Sequence, residues 1–173
     1  MTEITRLFDI PTYQLEKYNL NKALTTKYKD EWISISSQEY VNQSNAISRG
    51  LIKLGVRPND KIAVISSTNR TEWSVLDIGI LQIGAQNIPI YPTIADYEYI
   101  LNHSESIYCF VSDIEVLKKL NAIKSNTNLK GIYTFDEIPD EKNWKEVLNL
   151  GTDESVQKEV DARKNSVKPH DLA

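Results

Sequence analysis

The sequence predicts an α/β fold: a largely parallel sheet with helices on both faces, preceded by a short β-hairpin. Residues 61–92 run as apolar strand, polar turn, apolar helix, glycine stop and second strand, which is the pattern of a βαβ unit. The alternation of strands and helices continues beyond this unit. Residues 23–29 and 31–35 carry β-branched and aromatic side chains on either side of Lys29 and Asp30, which is typical of a hairpin.

Two of the predicted helices begin at capping boxes. Ser36 and Glu39 have the spacing at which each side chain bonds to the backbone N–H of the other residue. The helix that follows is apolar on one face and should end at Gly55, since glycine is common just beyond a helix C-terminus. Asn69 and Glu72 repeat the spacing before a helix that is apolar nearly all round, which predicts a helix covered on both sides.

The second half of the chain continues the pattern. We expect Thr93, with Asp96, to cap a short helix ending at His103, and Ser112, with Glu115, to cap the next helix. The remaining predicted elements are strands at 62–65, 86–90, 107–111 and 131–135 and a short helix at 144–148.

The two ends of the chain predict less regular structure. Residues 1–22 contain Pro11 among scattered large apolar side chains, and we expect them to be irregular. Residues 151–167 are highly charged and predict an exposed helix or a linker. Leu172 and Ala173 resemble the first step of a further strand.

The composition is that of a globular domain. Of 173 residues, 40% are hydrophobic and 25% are charged, so the chain is long enough to bury a core. The net charge of −4 gives no overall attraction to nucleic acid. The first residues lack the apolar core of a signal peptide, and no stretch approaches the roughly 20 apolar residues of a membrane span. We therefore expect a soluble, cytoplasmic protein.

Ligands of parallel sheets bind beyond the carboxyl ends of the strands, which points to the turns at residues 66–70, 91–93 and 112–113. The first turn places hydroxyls, the Asn69 amide and the Arg70 guanidinium at a helix N-terminus, where an anion would be stabilised. It lacks the glycines with which phosphate loops approach their ligand, and helix capping alone also explains its residues. Both interpretations stay open.

Other polar residues are weaker candidates. Tyr91 and Thr93 offer a phenol and a hydroxyl at a strand end, although Pro92 could simply end the strand, with Thr93 as a helix cap. His103 is interpreted as a helix C-terminal cation or a packed imidazole. Cys109 lies in an apolar strand, so its thiol should be buried, protonated and inert.

The sequence indicates no catalytic residue and no metal site. Its two histidines and one cysteine fit no familiar zinc spacing, and its acidic residues are interleaved with lysines in the manner of a solvated surface. A single cysteine also excludes a disulfide within the chain, which favours a reducing compartment.

Several segments, in order, resemble the amino-terminal part of AMP-forming acyl-CoA synthetases, members of the adenylate-forming superfamily. They are L-I-K-L-G-V-R-P-N-D-K-I-A-V-I at 51–65, N-R-T-E-W at 69–73, G-A at 84–85, P-I-Y-P-T at 89–93 and Y-I-L-N-H at 99–103. The N-R-x-E-W and I-Y-P-T segments are most similar to those of long-chain fatty acid–CoA ligases. Between Thr93 and Tyr97 the chain is a residue or two shorter than the family pattern.

The resemblance implies that residues 1–167 form the amino-terminal subdomain of an AMP-binding domain. Residues 168–173 would begin the strand that leads into a phosphate loop, which the sequence does not contain. The family's Mg²⁺ and ribose contacts and its catalytic lysine would also lie further on. We therefore expect this 173-residue chain to be an inactive scaffold of a larger enzyme.

For the complete enzyme the resemblance implies ATP, CoA and Mg²⁺ as cofactors and a fatty acid as substrate, with none of them bound tightly by this chain alone. Expected partners are the rest of the same polypeptide, with possible peripheral membrane contact and self-association through an unpaired sheet edge. The candidate contacts are Asn69, Arg70, Tyr91 and Thr93. The alternative is a free-standing, non-catalytic α/β module that binds a small molecule.

Overall fold

A computed structural model describes residues 3–172 of the chain. Its helices and strands, in chain order, are α1 (Ile10–Lys17), β1 (Leu24–Tyr28), β2 (Glu31–Ile35), α2 (Ser37–Lys53), β3 (Lys61–Ile65), α3 (Thr71–Gln82), β4 (Gln86–Ile90), α4 (Tyr97–His103), β5 (Ser106–Val111), α5 (Ile114–Ile123), β6 (Gly131–Thr134), α6 (Trp144–Leu150) and α7 (Gln157–Ser166).

The centre of the molecule is a four-stranded parallel sheet with the strand order β4-β3-β5-β6. Strands β1 and β2 form a separate antiparallel hairpin, in which Tyr28 pairs with Glu31 across the turn. The predicted α/β fold with its preceding hairpin is therefore confirmed. No helix among residues 3–172 is long and apolar enough to cross a membrane.

The sheet buries both of its faces. One face packs its aromatic residues against α2, α3 and α6, with Phe110 at the centre of this larger core. The other face, which includes Cys109, packs against α4 and α5. Helix α3 is buried along much of its length, as its nearly continuous apolar sequence predicts.

The capping box before α2 has the predicted geometry. The Glu39 backbone N–H donates to Ser36 Oγ at 3.2 Å, and the Ser36 N–H donates to Glu39 Oε2 at 2.7 Å. Gly55 follows the helix with a φ of +84°, which a residue with a side chain rarely adopts. Start and end of α2 are thus both confirmed, because their signals are local.

Three other predicted caps are wrong. Asn69 does not cap α3, which begins two residues later without a cap from its own turn. The cap of α4 is Asp96, which accepts from the Tyr99 N–H at 2.9 Å, and not Thr93. The cap of α5 is Asp113 in place of Ser112. In the last two cases an aspartate directly precedes the helix, where its charge also favours the helix dipole.

Residues 3–22 are more regular than predicted. A 3₁₀ turn at Leu7–Asp9 leads into α1, with Pro11 in the first turn of that helix. Proline is tolerated there because the N–H that it lacks would have no partner within the helix. Arg6 donates to the carbonyl of Lys164 at 2.7 Å, which ties this segment to the far end of the chain.

The charged segment near the C-terminus contains a docked helix. The predicted helix exists as α7, but Val160 on its inner face is fully buried. Arg163 donates from Nη1 to the Val56 carbonyl at 2.7 Å. Residues 168–171 form a turn, and the predicted strand start is not seen at Leu172; Ala173 lies outside the described residues.

Strand β4 is an edge strand that contains a proline. The Gln86 N–H donates to the Asp60 carbonyl on the β3 side at 2.9 Å. Because backbone groups alternate in direction along a strand, those of Asn87 and Pro89 point away from β3, toward the open edge. Pro89 therefore stands where its missing N–H breaks no bond of the sheet.

Candidate functional site: the strand-end cleft

The parallel topology brings the turns after β3, β4 and β5 to one edge of the sheet, as predicted. A cleft of about 440 Å³ opens there between α3 and β4. Asn69, Arg70 and Tyr91 line this strand-end cleft, together with Trp73 on α3. Thr93, the fourth candidate, is exposed and is not among the lining residues.

The Arg70 guanidinium is held by protein groups on several sides. Its Nη2 lies 2.8 Å from Glu72 Oε1, and its Nη1 lies 2.9 Å from Asp136 Oδ1 and donates to the Ser112 carbonyl at 3.1 Å. Its central carbon also lies 5.3 Å from the centroid of the Phe135 ring. These contacts connect the ends of β3, β5 and β6, so the structure supports a structural role for Arg70.

Glu72 completes the cluster. Tyr28 of the hairpin donates its phenol to Glu72 Oε2 at 2.6 Å. Burial raises the pKa of Glu72, but the hydrogen bonds from Arg70 and Tyr28 outweigh it, and the net pKa lies below the usual value. Glu72 is therefore held ionised opposite a permanent cation.

The hairpin also supplies the missing cap of α3. The Thr71 N–H donates to Thr26 Oγ1 at 2.8 Å, and the two threonine hydroxyls lie 2.9 Å apart. A residue 45 positions earlier thus satisfies the first turn of this helix. Sequence spacing could not reveal this cap, because both partners come together only in the folded chain.

The turns after β3 and β5 are bonded to each other. The Ser67 N–H donates to Ser112 Oγ at 3.0 Å, and Ser112 Oγ donates to Asp113 Oδ2 at 2.6 Å. Burial raises the pKa of Asp113, but the bonds from Ser112 and from backbone N–H groups outweigh it and the net pKa is lowered. The Ser112 hydroxyl therefore joins two strand ends.

The turn after β4 is more open. The side chain of Tyr91 is 77% exposed, so its phenol is available to a ligand or to another part of a larger protein. Tyr97 donates to the Pro92 carbonyl at 2.7 Å, which fixes the backbone of the turn. Of the four candidates, Tyr91 and Asn69 combine a place in the cleft with an exposed side chain.

Comparison with known proteins identifies the family. The model of the AMP-binding enzyme family matches residues 13–173. The chain belongs to this family.

Curated relatives of this AMP-binding family member include long-chain-fatty-acid–CoA ligase FadD15 of Mycobacterium bovis, 38% identical over 46% of the chain. Long-chain-fatty-acid–CoA ligase ACSBG2 of Xenopus laevis is 26% identical over 88% of the chain. Fatty acyl-CoA synthetase B of Dictyostelium discoideum is 29% identical over 86%. The chain spans only 13%, 22% and 23% of the lengths of these three relatives.

Solved structures of two CoA ligases share the fold. The anthranilate CoA ligase AuaEII, in complex with anthranoyl-AMP, superposes with a TM-score of 0.70 at 24% identity, over 82% of this chain and 26% of that chain. The long-chain-fatty-acid–CoA ligase FadD1 of Archaeoglobus fulgidus gives 0.69 at 20% identity, over 84% and 30%. At these identities the likeness establishes the fold.

The remaining candidates, Cys109 and His103, are not among the residues that line the strand-end cleft of this AMP-binding family member. Cys109 is buried, as expected, and burial raises the pKa of its thiol far above the usual value. His103 ends α4 and stacks on Tyr99 with ring centroids 5.6 Å apart. Within residues 3–172, no group of three or more His, Cys, Asp or Glu side chains could hold a metal ion.

A second groove was not predicted from the sequence. It measures about 840 Å³ and runs between the hairpin and the ends of β5 and β6, with Tyr28, Arg70 and Trp144 among its lining residues. The position of the hairpin creates it, through the contacts of Tyr28 and Thr26 with α3. Those contacts join residues far apart in sequence, so no local pattern signals the groove.

Proposed function

We propose that this chain is the amino-terminal part of a long-chain fatty acid–CoA ligase. The observation that carries the proposal is the family match over residues 13–173, together with curated relatives that bear this name. Residues 1–167 would form the amino-terminal subdomain of the AMP-binding domain, and residues 168–173 would lead toward its phosphate loop.

The complete enzyme would act in two steps. A carboxylate oxygen of the fatty acid attacks the α-phosphorus of ATP, and pyrophosphate leaves as the acyl-adenylate forms. The thiol of CoA then attacks the acyl carbonyl, and AMP leaves. Mg²⁺ would accompany ATP and offset the phosphate charge.

The chain itself would serve as scaffold and as part of the wall of the acyl pocket. The Arg70 cluster supports this role, because it holds the ends of β3, β5 and β6 in one arrangement. Asn69, Arg70, Tyr91 and Thr93 would face the rest of the polypeptide, and Tyr91 is 77% exposed. Its main partner would therefore be the remainder of its own polypeptide.

The test is fatty-acid-dependent release of pyrophosphate and formation of AMP by the complete gene product. We expect activity with long-chain fatty acids, and none from the 173-residue chain assayed in parallel. A complete gene product without fatty-acid-dependent AMP formation would refute the ligase assignment. ATP–pyrophosphate exchange by the short chain would refute its role as an inactive scaffold.

The alternative function, a free-standing module that binds a small molecule, is favoured by the strand-end cleft and its Trp73. Two carboxylates already neutralise Arg70, so we expect at most weak binding of nucleotides.

Titration of the chain with ATP or AMP, followed by tryptophan fluorescence, tests this. The Trp73→Phe variant should lose any signal from the cleft, and Trp32→Phe, on the exposed hairpin, is the matched control. Tight binding by the isolated chain would favour the module.

The cellular setting stays a prediction. A cytoplasmic enzyme with peripheral membrane contact suits a fatty acid substrate, and we propose no nucleic-acid partner. The isolated chain would self-associate through exposed apolar surface and an unpaired sheet edge. Light scattering over a range of concentrations tests this, and a strictly monomeric chain at high concentration would contradict it.

A further inference from the structure

Asp77 and Asn87 face each other between α3 and the edge strand β4, beside the strand-end cleft. The Asn87 amide Nδ2 donates to Asp77 Oδ1 at 2.7 Å. Asn87 Oδ1 is buried and has no hydrogen-bond partner among the described residues. Trp73, one helical turn before Asp77, and Pro89, two residues after Asn87, both line the cleft. The pair therefore joins the two walls of the cleft.

The unpartnered oxygen needs a donor, and the nearest candidate is the carboxyl group that Asn87 already contacts. An ionised carboxylate has only acceptors, so it leaves Asn87 Oδ1 unsatisfied. A protonated carboxyl has one O–H donor and keeps an acceptor for the Asn87 amide. Protonation therefore allows two hydrogen bonds where ionisation allows one, and it removes the cost of a buried, unsatisfied acceptor.

The surroundings of Asp77 favour its neutral form. None of the ion pairs among residues 3–172 involves Asp77. Its neighbours at helical spacing on α3, at positions 73, 74, 80 and 81, carry no charge. From α2 the titratable Tyr40 faces it, and burial together with Asp77 raises the pKa of that phenol. Burial also raises the pKa of Asp77, against the opposing hydrogen bond from Asn87.

We propose that Asp77 and Asn87 form a proton-dependent contact between α3 and β4, in which protonated Asp77 donates its O–H to Asn87 Oδ1. Loss of the proton breaks this second bond and leaves a partly buried carboxylate beside an unsatisfied amide oxygen. The contact between the two cleft walls then weakens. The inference concerns this chain's own fold and does not depend on the proposed ligase activity.

The direction of the pH effect follows from linkage. The pKa of Asp77 is higher in the folded than in the unfolded chain, where it is about 3.8. Its contribution to stability is therefore fully present below that value and is lost as the pH rises through the folded pKa. Acidification should tighten the Asp77–Asn87 pair, and a pH above the folded pKa of Asp77 should loosen it.

The Asp77→Asn variant tests the proposal, because its amide always carries a donor for Asn87 Oδ1 and never ionises. We expect wild type and variant to have similar unfolding constants below about pH 4. Above that pH the wild type should become progressively less stable than the variant, by roughly tenfold in the unfolding constant for each unit of pKa shift. Asp161→Asn, which removes an exposed carboxylate of α7, is the matched control and should not reproduce the growing difference expected for Asp77→Asn.

A direct titration covers the case in which the variant does not fold. The Asp77 carboxyl ¹³C signal of the wild-type chain should titrate above the range of an ordinary aspartate. The Trp73 indole signal should shift with the same midpoint, and it should not do so in Asp77→Asn. An ordinary aspartate midpoint, or a variant less stable than wild type from pH 5 to 8, would overturn the proposal.

Discussion

Two carboxylates on α3, Glu72 and Asp77, are both withdrawn from water, yet their pKa values move in opposite directions. The pKa of Glu72 is lowered and that of Asp77 is raised. Burial raises both, so burial cannot explain the difference. Glu72 receives bonds from the Arg70 guanidinium and the Tyr28 phenol, whereas Asp77 receives a single bond from the Asn87 amide. The number and charge of the hydrogen-bond donors therefore decide whether the pKa is raised or lowered.

The stability contributions of the two carboxylates also depend on pH in opposite directions. Glu72 stabilises the fold above its unfolded pKa of about 4.5, and this stability is lost as the pH falls through its folded value. Asp77 contributes most below its unfolded pKa of about 3.8 and least above its higher folded pKa. Contacts of helix α3 should therefore weaken at Glu72 when the pH falls through the folded pKa of Glu72, and at Asp77 when the pH rises through the folded pKa of Asp77.

The largest expected effect comes from removal of the cation. Arg70→Met leaves Glu72 buried without its charge partner, and this should cost about 3–5 kcal/mol of unfolding free energy. Chemical denaturation measures the loss. Arg57→Met, at an exposed arginine, is the matched control and should change stability little. A loss below about 1 kcal/mol for Arg70→Met would show that the cluster does not hold the strand ends together.

An intermediate effect is expected from neutralising the acid. Glu72→Gln weakens the bonds from Arg70 and Tyr28 and should cost about 2 kcal/mol at pH 7. The deficit should shrink as the pH falls from about 4.5 through the lower pKa of the folded state, because the unfolded wild-type chain then binds a proton more readily than the folded one. Denaturation at several pH values measures it, and a deficit that grows in acid would contradict the assignment.

The smallest of these effects is expected from Tyr28→Phe, which removes one of the donors to Glu72 and keeps the Arg70 pair. It should cost about 1 kcal/mol. Burial and the bond to Glu72 raise the pKa of Tyr28 to about 12. Since this exceeds its ordinary value of about 10, the contribution should persist at neutral pH and fade only as the pH rises toward 12. An equal cost for Tyr28→Phe and Glu72→Gln would mean that the phenol, and not Arg70, holds the carboxylate.

The sequence predicted what depends on neighbours along the chain and missed what depends on distant ones. The Ser36–Glu39 capping box is local and was predicted in detail. The cap of α3 comes from Thr26, and the second anion on Arg70 comes from Asp136, 66 residues away, so neither could be inferred. The candidate turns lie at one edge of the sheet, as the predicted topology implied, but the involvement of Arg70 with two carboxylates was not foreseen.

Two further misses have local causes. Pro11 was interpreted as a sign of irregular backbone, although the first turn of a helix accepts it. In α7, Val160 is the single buried residue among many charged ones. One buried residue can dock a short helix, but it produces no periodic apolar pattern in the sequence. The segment was therefore predicted to be an exposed helix or a linker, whereas one side of the helix is buried.

Pro89 also affects how readily the chain could form amyloid. Amyloid grows when an exposed strand offers its free N–H and C=O groups to a strand from another molecule. On β4 the outward position at Pro89 has no N–H to offer, so an incoming strand would lose a bond in the middle of the pairing. The β4 edge is therefore a poor template for cross-β growth, even though the other four of its five residues have a backbone N–H.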